Sequence, residues 1–95
     1  MSIIRLQGDF NGLWGDLLCL SHGETARDEH GNEVLLREGM EVTAFDPDIV
    51  DGSPADLTAH GKVVQSPEWL QCYGSKWALQ IDRRGVYHER TNVIN

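Results

Sequence analysis

The sequence predicts an all-β domain: a small, bent barrel of the SH3-like type, with six or seven short antiparallel strands and one short helical or 3₁₀ turn near Pro67. Three observations support this fold class. Several segments alternate apolar and polar residues with the period of two that is typical of half-buried strands. Turn-forming residues separate these segments at intervals of about 8–12 residues. A long break before Gly61 fits a barrel whose strands bend strongly.

The first two strands are predicted near the N-terminus. Residues 3–10 form the first, with Ile4 and Leu6 on one side, and it ends at the turn signal Asn11-Gly12. Residues 13–20 are more continuously apolar. We therefore expect a second strand there that is buried on both faces.

The middle of the chain is less regular. A polar loop is predicted over residues 21–32, and a break over Asp46–Asp56, which holds two prolines, one glycine and four aspartates. Residues 55–60 are predicted to form a short helical turn. Further strands are predicted over residues 33–36, 40–45 and 61–65.

The clearest strand signal is a predicted hairpin over Trp77–Arg90. Trp77, Leu79 and Ile81 alternate with more polar residues, and Asp82-Arg83-Arg84-Gly85 supplies turn chemistry. We expect residues 86–90 to run back along residues 76–82. Residues 91–95 are expected to be a frayed tail.

The sequence is compatible with two registers of this hairpin. If Gly85 is a bulge residue, Ile81 faces Tyr87, which makes Tyr87 part of the core and leaves His88 outside. If the loop is plainer, Ile81 faces Val86 and His88 approaches Leu79. We favour the first register because a type I turn followed by a left-handed glycine matches the twist of the strands.

The length and the net charge of the chain limit the classes of partner that we expect. The 95 residues are the size of one domain, so residues 1–95 are assigned to a single β-barrel domain. The net charge of −7 divides into −9 (3 basic, 12 acidic) over residues 1–61 and +2 (5 basic, 3 acidic) over residues 62–95. Nucleic-acid binding needs a concentrated basic face, so we expect no nucleic-acid partner. The acidic half would attract a basic one.

Hydropathy and cysteine usage predict a cytoplasmic protein. No segment approaches the roughly 20 apolar residues that cross a bilayer, and the N-terminus lacks the pattern of a secretory signal. We therefore expect neither a membrane partner nor export. With Cys19 and Cys72 as its two cysteines, the chain is expected to hold them unpaired in a reducing compartment.

Two groups of residues have side chains suited to metal binding or to nucleophilic catalysis. Asp46, Asp48 and Asp51 are dense enough for a hard cation, but the ligand order and the terminal glutamate of an EF-hand are missing. We expect a solvated loop there. Cys19-x-x-His22 has a spacing that can hold zinc, yet a second ligand pair is absent from the sequence. Either cysteine could instead act as a nucleophile beside a histidine.

The aromatic residues favour a binding function. Trp69 and Tyr73 lie in the predicted loop before the last hairpin, so we expect them at the surface, while Trp14 and Trp77 are expected in the core. Exposed aromatics on SH3-like barrels line grooves for proline-rich peptides or cages for methylated lysine. The sequence therefore predicts a non-catalytic binding or assembly module for a protein or peptide partner, with no cofactor. The alternatives are a metal-binding protein and a small cysteine-dependent enzyme. The predicted partner-binding residues are Trp69, Tyr73, Asp46, Asp48 and Asp51.

Overall fold

The computed structural model describes residues 3–69 and 76–90, and the predicted tail over residues 91–95 lies outside this part of the chain. The described residues form nine strands, one 3₁₀ helix and no α-helix, so the predicted all-β class is confirmed. The 3₁₀ helix covers Phe10–Gly12. The strands are β1 (Ile4–Gln7), β2 (Leu13–Trp14), β3 (Leu17–Ser21), β4 (Thr25–Arg27), β5 (Glu33–Leu35), β6 (Glu41–Asp46), β7 (Ile49–Val50), β8 (Ser53–Gln65) and β9 (Trp77–Arg90).

Seven strands form the main sheet. Six of them lie in the order β1-β6-β8-β9-β3-β2, β7 pairs with the beginning of β8, and β4 and β5 form a separate hairpin. All pairs are antiparallel except β1 with β6, which is parallel and corrects the expectation of a wholly antiparallel fold. Within the described residues the sheets do not close, and the SH3-like type stays a prediction. Among these residues no helix has the length and apolarity needed to cross a membrane.

The larger of two buried clusters lies on one side of the main sheet, which we call its inner face, and the smaller one, with Leu17 and Ala78, lies on the other side. Alternating residues of each strand point to this face, since strand side chains have a period of two. Burying each large aliphatic side chain of this kind contributes roughly 1.5–3 kcal/mol. The fully buried members of the cluster with the largest side chains are Leu6, Leu18, Val42, Val63 and Leu79.

The prediction of one strand over residues 13–20 holds only for its second half, which belongs to β3, because the chain reverses within this segment. Gly15 has a φ of +62°, which favours glycine, and it allows a tight turn between β2 and β3. Trp14 then lies on the two-residue edge strand, where it has one neighbouring strand and stays 53% exposed. The expectation that Trp14 belongs to the core is also wrong.

The predicted break over Asp46–Asp56 is a hairpin between β7 and β8. Asp51 and Gly52 both have positive φ, +52° and +79°, which is the pattern of a type I′ turn. Residues 55–60 are strand and not the predicted helical turn. Both β6 and β9 pair with this part of β8, so the sheet hydrogen bonds and packing outweigh the weak helical preference.

The predicted hairpin over Trp77–Arg90 is wrong as well, since β9 runs through it as one strand. Ile81 pairs with Gly61 and Val86 pairs with Ala59, so one residue of β8 faces four residues of β9. We call these four, Asp82–Gly85, the bulge. Neither predicted register occurs, because the long strand β8 offers partners along all of β9 and the chain need not fold back on itself.

Candidate functional site

A hydrogen-bonded network lies on the outer face of the main sheet, opposite the bulge. The side chains of Thr43 on β6, His60 on β8 and Tyr87 on β9 form it, and we call it the His60 network. Thr43 Oγ1 and His60 Nδ1 are 2.7 Å apart. His60 Nε2 and Tyr87 Oη are 2.5 Å apart. Both ring nitrogens of His60 are therefore engaged by hydroxyl groups from neighbouring strands.

The protonation of His60 follows from its surroundings. Burial lowers the pKa of His60 below its ordinary value, and the positive charge of Arg84 lowers it further. A neutral imidazole has one N–H donor and one acceptor nitrogen. His60 accordingly donates to one hydroxyl and accepts from the other, which satisfies both nitrogens without a charge.

The bulge is held by an internal ion pair. Arg84 Nη2 donates to Asp82 Oδ2 at 2.7 Å, and the backbone N–H of Arg84 donates to Asp82 Oδ1 at 3.0 Å. These bonds favour the carboxylate and hold the pKa of Asp82 below its usual range. The bulge thus has a defined conformation at the surface.

An open cavity of ≈ 210 Å³ lies between the bulge and β6. We call it the bulge cavity. Ile3 and Val42 contribute apolar surface, whereas charged residues contribute the remainder together with His60 and Gly61. These charged lining residues are Glu41, Lys62, Asp82 and Arg84. Bulges often re-aim side chains beside functional sites, so a cavity next to this one is a candidate site.

Arg5 contacts side chains from several strands on the outer face of the main sheet. Its guanidinium lies 5.0 Å from the centre of the Phe45 ring, and its Nη1 donates to Glu89 Oε1 at 3.0 Å. Asp56 and Glu29 complete the cluster at 3.8 Å and 3.5 Å. Because all four partners belong to this chain, we interpret Arg5 as a structural cross-link between strands.

The structure gives the predicted acidic residues separate surroundings. Asp46 Oδ2 accepts a hydrogen bond from the backbone N–H of Phe10 at 3.1 Å. Asp48 Oδ2 lies 2.9 Å from His88 Nε2, and this contact lowers the pKa of Asp48. Asp51 occupies the exposed hairpin turn. Two of the three carboxylates therefore have partners within the chain.

Trp69 is 65% exposed, whereas Trp77 is 8% exposed and belongs to the core, as predicted. Tyr73 lies outside the described residues. Trp69 follows the end of β8 and the acidic hairpin precedes its beginning, so the 13 residues of that strand separate them. At about 3.3 Å per residue this is roughly 40 Å. Trp69 and the acidic hairpin are therefore attached to opposite ends of β8.

Cys19 is disulfide-bonded, which corrects the expectation of unpaired cysteines. The other cysteine of the sequence, Cys72, lies outside the described residues. Sequence spacing does not show which sulfur atoms the fold brings within bonding distance, and for this reason the prediction failed. The disulfide also removes the support that cysteine usage gave for a reducing cytoplasm, so that location stays a prediction.

The disulfide weakens both alternative chemistries that used Cys19. A zinc ligand or a nucleophile must be a thiolate, and a sulfur in a disulfide is not one. Across the described residues, no three His, Cys, Asp or Glu side chains are grouped so that they could hold a metal ion. His22 is exposed beside Gly23 in the bend after β3.

Comparison with known proteins adds no relative: no protein-family model, curated protein or solved structure matches the chain. Sequence reasoning missed the His60 network, because its three members come from different strands. The one local signal is the placement of His60 between Ala59 and Gly61, a polar residue flanked by two small ones.

Proposed function

We propose that the domain is a non-catalytic binding or assembly module that binds a protein or peptide partner through Trp69. The observation that carries this proposal is the 65% exposure of Trp69. Tryptophan is enriched among the residues that dominate binding energy, because a large rigid ring buries much apolar area at little entropic cost. A tryptophan side chain that is this exposed in the free domain is well placed to contact a partner.

The charge of the domain narrows the class of partner. The net charge is −7, and residues 1–61 carry most of the negative groups. A field of this sign attracts segments rich in lysine and arginine and speeds their encounter with the domain. We therefore propose a basic peptide or a basic protein surface as the partner.

Two features of the site support a binding role over a catalytic one. Cys19 is held in a disulfide and is not available as a thiolate. Both nitrogens of His60 are engaged by Thr43 and Tyr87, so the imidazole is occupied as a structural link. The SH3-like description of the fold belongs to this proposal, since domains of that type use exposed aromatics to bind peptides.

A displayed library of random peptides, selected on the folded domain, tests the proposal. Peptides enriched on the wild-type domain are titrated against Trp69→Ala and Trp14→Ala. Trp14 is the matched control, because it is also a tryptophan and is 53% exposed at a different place on the sheet. We expect Trp69→Ala to weaken binding by about thirtyfold, which corresponds to roughly 2 kcal/mol, and Trp14→Ala to leave it unchanged.

Two outcomes would overturn the proposal. One is a selection that enriches no peptide above the background of an unrelated β domain. The other is a set of enriched peptides that bind Trp69→Ala as tightly as the wild type. Enrichment of acidic instead of basic peptides would leave Trp69 as the anchor but refute the proposed charge of the partner.

A further inference from the structure

We propose that the disulfide at Cys19 is a redox control of partner binding at Trp69. The oxidised domain binds the peptide, and reduction of the disulfide weakens that binding while the sheet stays folded. This inference rests on the proposed function, since it concerns the regulation of the same tryptophan. Three observations carry it: the identity of the bonded cysteines, the strand pairing around Cys19, and the position of Trp69 in the chain.

The bonded pair follows from the number of cysteines. Cys19 is disulfide-bonded, and the sequence holds one other cysteine, Cys72. A disulfide within one chain therefore joins Cys19 on β3 to Cys72. Cys72 comes three residues after Trp69 in the sequence, and both belong to residues 66–76, which connect β8 to β9. We call this segment the Trp69 connection.

The sheet holds Cys19 in place without help from the disulfide. Cys19 pairs with Ala78 of β9, and Ala78 pairs with Val64 of β8. The side chains of Cys19 and Val64 also pack against the buried pair Leu17 and Ala78. Reduction leaves this strand pairing and this apolar contact unchanged. We therefore expect the three strands to stay paired when the sulfur–sulfur bond is broken.

In the folded domain the disulfide acts chiefly on the Trp69 connection. Backbone hydrogen bonds hold both ends of this segment. Ser66 N–H donates to Lys76 O at 3.1 Å, and Lys76 N–H donates to Ser21 O at 2.8 Å. The disulfide adds a third fixed point between these ends. Its reduction is expected to increase the conformational freedom of the segment, because a longer stretch of chain is then free between fixed points.

Trp69 lies between the first end of the connection and the disulfide. It is 65% exposed, so it is open to a partner. An anchor on a constrained segment loses little conformational entropy when a partner binds, whereas an anchor on a freer segment has to be ordered at that moment. The oxidised domain is thus the form with the higher affinity, and the reduced domain is the form with the lower affinity.

Thiol–disulfide exchange interconverts the two forms. A dithiol reductant attacks one sulfur as a thiolate, the sulfur–sulfur bond breaks, and a mixed disulfide forms. The second thiol of the reductant then displaces the cysteine sulfur from this intermediate. Two electrons and two protons pass to the sulfurs of Cys19 and Cys72, and the reductant becomes a disulfide.

Peptide titration of the oxidised and the reduced domain tests this proposal. Peptides that bind through Trp69 are titrated before and after treatment with dithiothreitol. We expect reduction to weaken binding by about tenfold. The amide chemical shifts of β6 and β8 are expected to stay the same. The matched control is the double variant Cys19→Ser with Cys72→Ser, which cannot form the bond and should bind weakly with or without the reductant.

A second measurement needs no partner. The indole N–H groups of Trp69 and Trp77 give separate NMR signals, and their relaxation reports the motion of each ring. Reduction is expected to increase the motion of the Trp69 ring. The Trp77 ring is 8% exposed in the core, so its motion should not change.

Three outcomes would overturn the redox control. The reduced domain could bind peptide as tightly as the oxidised domain, or the Trp69 ring could move equally in both forms. Reduction could also unfold the sheet, which would make the disulfide a general structural cross-link. If no peptide binds through Trp69 in either form, the proposed function fails, and the relaxation of the Trp69 ring still decides separately whether the disulfide constrains it.

Discussion

Two segments of the chain carry the same turn chemistry and have opposite effects on its direction. Asp51-Gly52 reverses the chain between β7 and β8. Asp82–Gly85 also pairs an aspartate with a glycine of positive φ, yet β9 continues beyond it in the same direction. The difference lies in the neighbouring strand, since β8 is long enough to pair with β9 on both sides of the bulge.

The comparison shows what turn residues specify. Aspartate and glycine mark a place where the backbone leaves the ladder, because they tolerate the required dihedral angles. They do not determine whether the chain returns along itself. That outcome depends on which pairing satisfies more backbone groups and buries more apolar surface.

The strongest test of the comparison is Gly61→Ala, next to His60, which is the β8 residue opposite the bulge. A Cβ atom at Gly61 would overlap the backbone carbonyl of Gln80, which is the close approach that allows β9 to step around His60. We expect a loss of roughly 2–4 kcal/mol in the free energy of unfolding, measured by urea denaturation. Gly23→Ala is the control, because nothing lies within 4 Å of a Cβ there. Equal stability of the two variants would contradict this account of the bulge.

The next test places alanine at the two turn glycines. Gly52 and Gly85 have φ of +79° and +69°, and a Cβ added at either would have no atom within 4 Å, so backbone strain alone sets the cost. Gly52→Ala and Gly85→Ala are each expected to destabilise the fold by about 1–2 kcal/mol, measured by urea denaturation. Asparagine at either position should recover part of that loss. A cost at Gly52 with none at Gly85 would mean that the bulge relaxes freely.

The smallest expected effect is a pH dependence of the stability of the fold, which arises from His60 opposite the bulge. The pKa of His60 is lower in the folded domain than its ordinary value of 6.5. The unfolded chain therefore binds more protons, and stability decreases as pH falls from 6.5 toward the folded pKa. Thermal unfolding of the wild type and His60→Gln over this range measures the difference. The contribution of His60 would be refuted if both proteins lost the same stability.

The charges that face His60 belong to this pH response. Arg84 and Arg5 oppose its protonation, whereas Asp82 and Glu89 favour it. Burial is the largest cause and sets the net direction. Arg84→Gln should therefore narrow the pH interval over which stability changes, because it removes one of the opposing charges.

The sequence predicted strands where the pattern was local. The strand predicted over residues 40–45 corresponds to β6, and the strand predicted with Ile4 and Leu6 on one side contains β1. It failed for the first part of β8, where Ala55–His60 has weak strand preference and takes its structure from β6 and β9 on either side. Tertiary pairing outweighs propensity in such a central strand.

The candidate site could be predicted only where it depends on local sequence and not on the pairing of distant strands. Trp69 was placed at the surface because it lies between strong strand signals, and it is exposed. The His60 network could not be anticipated, since Thr43, His60 and Tyr87 meet only when three strands adopt one register. A single sequence does not specify that register. The disulfide at Cys19 was missed on the same ground.

The parallel pairing of β1 with β6 has a consequence for the order of folding. Ile4 pairs with Val42, 38 residues later, whereas β6, β8 and β9 are joined in sequence as antiparallel neighbours. Contacts between residues that are far apart in the sequence have a larger entropic cost of loop closure. We expect β6, β8 and β9 to assemble first and the N-terminal strand, although it is synthesised first, to dock last. One wall of the bulge cavity, which Ile3 supplies, is therefore completed only at the end of folding.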